Sequence, residues 1–348
     1  MAIHLFFSNT FWIGFCKNNF LFYFCVIKSK NYNKTMKKSL FFAITLPLAF
    51  AMASCGSSTP KENNTEKPKD QQPPTEVVET VQPNEQEAEP EVKEPGFPWD
   101  FPEGNKNEGL TDGQTILSIQ SFYPNALKEK ADPANETYIF YNAVLSAVGD
   151  TKSTVRYFGE DIEMPNAVII PIPADQQAKK GDIVLTWWQS GSGMQRAIVK
   201  DASNPSAPKV DYLDLSYKED GTGFSNEHAN EQLKPNSFVV LKDGEWQPGA
   251  QVVVSGDGSF DVGTLISSTD DKVLLKCFAG KIRVFKKSAC KVIPLQQHLK
   301  PGDEVMSIFA GSLKTGYTVK KVDETVGRVW VEGTFGNDIV NILEVYKL

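Results

Sequence analysis

Three short stretches of this chain repeat one pattern: Lys179-Lys180-Gly181-Asp182-Ile183-Val184, Lys234-Pro235-Asn236-Ser237-Phe238-Val239 and Lys300-Pro301-Gly302-Asp303-Glu304-Val305. Each sets a turn residue just ahead of apolar or β-branched residues, the chemistry that opens a strand. A fainter fourth copy begins at Asp112-Gly113-Gln114-Thr115-Ile116. The spacing from Gly113 to Gly181 to Asn236 to Gly302 is uneven but similar, which points to one small module used four times with loops of different length.

Inside each copy an apolar strand runs through a polar turn into a second strand. The first has Ala143-Val144-Leu145, then Gly149-Asp150, then Val155-Arg156-Tyr157-Phe158-Gly159. The third has Gly263-Thr264-Leu265-Ile266, Asp270-Asp271 and the strand 273–278; the fourth has Tyr317-Thr318-Val319, Asp323-Glu324 and Val329-Trp330-Val331. Ile170-Pro171-Ile172 and Ile293-Pro294-Leu295 close the first and third alike, whereas the second ends in a polar tail, residues 216–232. Short strands at this density predict an all-β fold of small barrels. The order of strands resembles the SH3-like barrel of the Tudor type, and Val155 to Asp161, VRYFGED, is similar to its central hairpin. The resemblance implies tandem SH3-like barrels over 108–174, 175–232, 233–295 and 296–348. An immunoglobulin-like sandwich is the alternative, but it needs about 100 residues where each repeat offers about 60.

Upstream, residues 36–54 read MKKSLFFAITLPLAFAMAS and are followed at once by Cys55. Two lysines, an apolar run over 40–53 and small residues before a cysteine resemble a bacterial lipoprotein signal peptide with its lipobox. The resemblance implies a mature chain that begins at an acylated Cys55 and is held to a membrane by that lipid anchor. Gly56 is not an acidic retention signal, which favours the outer membrane. The alternatives are a cleaved signal with an incidental cysteine, or an uncleaved anchor, and the apolar run is shorter than the ~20 residues that spanning needs. Residues 1–35 carry no acid, and Lys17-Asn18-Asn19 splits their apolar patches. We read them as an upstream extension, with translation starting at Met36.

Residues 55–107 are rich in Pro, Glu, Gln, Thr and Lys, the composition of a disordered tether. Phe97, Trp99 and Phe101 interrupt it and predict a segment that docks, either on a partner or on the folded region. The first 54 residues hold six lysines and no acid, so removing them takes the net charge from −7 to −13. Such an acidic chain lacks the basic face that nucleic acid requires. The expected partners are the membrane, through the lipid, and a protein or cell-wall ligand.

No phosphate-binding loop, dinucleotide fingerprint, nucleophile elbow or paired-histidine zinc motif occurs, and nothing calls for a cofactor or metal. His228 and His298 stand alone, and the run 255–261, SGDGSFD, reads as a hairpin turn rather than a calcium loop. Cys277 and Cys290 are candidates for a disulfide or for two free thiols. Aromatic side chains carry the main hint of binding, since Tudor-type barrels hold cationic ligands in aromatic cages. The candidates are Tyr141, Phe158, Trp187, Trp188, Trp246, Phe278, Trp330 and Phe335, set against the ordinary role of large rings in filling a small core. Trp187 and Trp188 are adjacent on a strand and so face opposite ways. The expectation is a non-catalytic envelope lipoprotein that binds or scaffolds. The alternatives are a peptidoglycan-associated SH3-like protein, or an envelope enzyme with its site between repeats.

Overall fold

The strands of this chain are unusual in being apolar on both faces, as in Ala197-Ile198-Val199, Val252-Val253-Val254 and Val273-Leu274-Leu275, and sheets with that pattern must be covered on both sides. The computed structural model describes residues 96–119, 122–130, 132–215, 217–218, 221–223, 230–255 and 260–347. The signal segment, Cys55, the tether to residue 95, His228 and residues 256–259 of the 255–261 run lie outside them. Among the described residues there are 20 strands, one α-helix (α1, Phe122–Glu129) and five 3-10 turns. The protein is predominantly β.

The strands fall into four sets of five. The first comprises β1 (Thr115–Ser118), β2 (Tyr141–Ala147), β3 (Lys152–Tyr157), β4 (Glu160–Pro165) and β5 (Ile169–Pro171). The second has β6 (Ile183–Trp187), β7 (Met194–Asp201), β8 (Lys209–Tyr212), β9 (Glu231–Gln232) and β10 (Val239–Val240). The third has β11 (Gln251–Ser255), β12 (Phe260–Ser268), β13 (Lys272–Cys277), β14 (Ile282–Lys286) and β15 (Cys290–Val292). The fourth has β16 (Glu304–Phe309), β17 (Ser312–Asp323), β18 (Arg328–Gly333), β19 (Gly336–Asn341) and β20 (Val345–Lys347). In every set the first four strands form an antiparallel meander and the fifth returns to pair with the first. A 3-10 turn precedes the fifth strand in the first, third and fourth sets. Pairing of Phe260 with Leu313 and of Asp261 with Ser312 joins the last two sets into a ten-stranded sheet. None of these sheets closes into a hydrogen-bonded barrel, so the expected closed barrels are replaced by open antiparallel sheets.

One local device recurs four times. A glycine at positive φ opens the set, at Gly113 (79°), Gly181 (89°), Gly249 (94°) and Gly302 (93°), a conformation glycine adopts without a Cβ penalty. Its N–H donates to a carbonyl of the second strand, that of Leu145, Val199, Leu265 or Val319, at 2.7–2.9 Å. The N–H of that same residue donates back to the residue after the glycine, and a register shift follows at once in the second strand. The third copy is thus Gln247-Pro248-Gly249-Ala250-Gln251-Val252. The Lys234-Pro235-Asn236 stretch, which resembles an opening turn, instead leads into β10, whose partner is β6 of the second set. A closing strand needs a turn before it as much as an opening strand does, and only the pairing partner tells the two apart.

The four sets share a core. One continuous apolar cluster takes Leu145 and Ile170 from the first, Leu185 and Ile198 from the second, Ile266 and Leu274 from the third, and Val305 and Val331 from the fourth. The alternate residues on the same strands fill separate interiors: Ala197 and Val199 in the second set, Val273 and Leu275 in the third. The docking segment belongs to this body. Trp99 and Phe101 are 7% and 6% exposed; Trp99 stacks on Tyr123 at 6.0 Å and donates its indole N–H to the Ile282 carbonyl at 3.0 Å. Asn107 donates to carbonyls of both Ile169 and Ile266, pinning the first set to the third. Residues 96–107 are therefore structure rather than tether, because Trp99 and Phe101 supply buried apolar surface.

Candidate functional site

Gln251, Thr264 and Lys276 sit opposite one another on β11, β12 and β13, so they share one face of the third set, the face turned away from its own interior. Such a row ordinarily meets water. Here β7 of the second set covers it and brings Arg196, 4% exposed, against it. The Arg196 guanidinium donates to the Gln251 side-chain oxygen at 2.6 Å and forks onto both carboxylate oxygens of Asp214, just past β8. Glu344, in the 3-10 turn Ile342–Glu344, approaches from the fourth set. Between these walls lies a cavity of about 280 Å³, also lined by Gln195, Cys277 and Phe278.

The charges there are not equivalent. Burial alone would lower the Arg196 pKa, but the Asp214 carboxylate more than offsets it and holds the guanidinium above its ordinary value. Burial pulls the Asp214 pKa the other way, and Arg196 wins, holding that carboxyl below its usual range. This is a committed pair. The Lys276 ammonium has no hydrogen bond or ion pair with another described residue; burial pushes its pKa down, Asp214 opposes the shift and Arg196 adds to it. Glu344 accepts only the Asn341 backbone N–H, at 3.3 Å, and burial together with Asp214 raises its pKa. Arg328 ties the fourth set to the second by donating to the carbonyls of Tyr212, Leu213 and Leu215, and lies over the Tyr217 ring at 5.1 Å.

Cys277 and Cys290 are free thiols. Burial pushes both up to about 11, so neither is a ready nucleophile near neutral pH. The eight aromatic candidates are dispersed. Tyr141 is half-buried on β2, while Phe158 occupies the β3–β4 turn at 99% exposure. Trp187 packs on the shared core and Trp188 on the interior of the second set, the opposite faces their adjacency requires. Lysines of this chain already lie over two rings, Lys287 over Trp246 at 5.0 Å and Lys321 over Trp330 at 4.2 Å. Phe335 stacks on Phe309 at 5.0 Å, and Phe278 stands at the cavity mouth. The ring contacts of Phe158, Trp330 and Phe335 are all to aromatics outside the eight, Tyr157, Tyr217, Phe309 and Tyr317. Phe278 alone among the eight lines the cavity.

His298 is exposed, and no cluster of metal-ligating side chains occurs among the described residues. The polar set of Arg196, Asp214, Gln251, Lys276 and Glu344 escapes sequence patterns because its members come from three separate sets. The signal available was a lone charge within an apolar strand, as in Leu275-Lys276-Cys277 and Gln195-Arg196-Ala197. No protein-family model and no curated protein matches the chain.

Proposed function

We propose that this chain is a non-catalytic, lipid-anchored binding or scaffold protein of the bacterial cell envelope, carrying four SH3-like units of the Tudor type fused into one body. The observation that carries the reading is the fourfold recurrence of one strand order with the same glycine turn and the same register shift. A 3-10 turn before the closing strand, present in three sets, supports the SH3-like assignment. Fusion removes the independent mobility of the units and creates the polar cavity where three of them meet, a concave site of the kind small ligands use. Anchoring rests on the resemblance of residues 36–55 to a lipobox signal, and the acidic mature chain makes protein or cell-wall ligands the favoured partners and nucleic acid a poor one.

Growth of an expressing bacterium with an alkyne analogue of palmitate tests the anchor. The chain is expected to take up the label and to sediment with membranes, and Cys55→Ala to lose both properties while remaining folded. Labelling that persists in the alanine variant, or is absent from the original chain, contradicts the anchor. Crosslinking in the same cells then identifies the partner.

A further inference from the structure

We propose that the cavity between the second, third and fourth sets binds a small zwitterion of amino-acid or dipeptide size, with its carboxylate on Lys276 and its ammonium on Glu344. The assignment deepens the reading of this chain as a binding protein and rests on it. Of the four charged groups on the cavity walls, two are spoken for, since Arg196 and Asp214 are forked onto one another. The other two are not. The Lys276 ammonium has no hydrogen-bond or ion-pair partner among the described residues, and the Glu344 carboxylate has only one backbone N–H among them. They stand on walls supplied by different sets, and no ion pair joins them. A half-buried charge left unpaired is costly, and a cavity that carries two of opposite sign is suited to a ligand that carries both.

A simple anion would leave Glu344 unmatched, and a simple cation would leave Lys276 unmatched; a zwitterion satisfies both. Size limits the ligand, because about 280 Å³ lies at the small end of the range for ligand pockets. Phe278, 66% exposed, is seated on Gly311, where a Cβ would lie 2.4 Å from its ring. That ring offers a surface to a short apolar side chain.

Titration calorimetry of the full chain in detergent with alanylalanine tests the proposal, alongside N-acetylated and C-amidated forms of the same dipeptide. The free dipeptide is expected to bind, and each cap to weaken binding by about tenfold or more, the loss of one charged contact. Lys276→Gln and Glu344→Gln are each expected to weaken it about as much. Lys276→Gln removes an unpaired charge, so its thermal midpoint should be no lower than that of the original chain, which separates lost binding from lost folding. No heat of binding up to about 10 mM dipeptide overturns the proposal, that ceiling being weaker than the millimolar affinity of a single modest contact. Binding that is indifferent to either cap or to Lys276→Gln overturns it too. Neither failure touches the palmitate labelling, which tests the anchored-protein reading by itself.

Discussion

Replacing Arg196 by methionine is expected to destabilise the protein by about 3–5 kcal/mol, the cost of breaking one half of a buried, hydrogen-bonded ion pair. The guanidinium satisfies both oxygens of Asp214 and bridges to Gln251 on the neighbouring set, so its loss strands a carboxylate and opens the junction of two sets. Urea unfolding reads the effect as a fall in midpoint. A second substitution, Asp214→Leu, should return much of the loss, because it is the uncompensated carboxylate that is costly. The pH dependence has a definite sign. Asp214 is held below its unfolded pKa, so its contribution is present above about pH 4 and drains away as the pH falls through the lower folded value. Arg196→Met should therefore lose less stability than the original chain as the pH falls below about 4.

Trp99→Ala is expected to cost about 3–5 kcal/mol, the range for deleting a large buried aromatic side chain. The indole is 7% exposed, stacks on Tyr123, meets Tyr138 edge-on at 5.5 Å, and holds the Ile282 carbonyl of the third set. Deletion leaves a cavity beside the two tyrosine rings and an unpaired carbonyl. Phe158→Ala is the matched control: that ring is 99% exposed, and its removal should move stability by no more than about 0.5 kcal/mol. Thermal unfolding of the two variants side by side separates a docked segment from a tether that merely lies nearby.

The β class, the fourfold repetition and the docking of Trp99 and Phe101 were all legible in the sequence, since each is written in local chemistry: alternation, glycine turns, and aromatic rings in a polar stretch. The runs Val252-Val253-Val254 and Val273-Leu274-Leu275 also announced burial on both faces. What they did not announce is what covers the second face. Strand alternation sets Lys276 on the face opposite Val273 and Leu275, yet the identity of its neighbour depends on Arg196 arriving from a different sheet, a contact with no trace in local pattern. Asn236 misled for a related reason, because its turn chemistry matches that of Gly302 while its strand pairs backwards with β6. The aromatic candidates are dispersed because a shared core takes rings from all sides, leaving no single end at which eight could converge.

Scanning calorimetry of the full chain distinguishes four repeated sheets that form one body from beads on a string. Because Leu145, Ile198, Leu274 and Val331 lie in one apolar cluster, unfolding any set exposes the buried faces of the others. A single transition is expected, with calorimetric and van't Hoff enthalpies that agree. Two or more separable transitions, each with the enthalpy of about 60 residues, would contradict it.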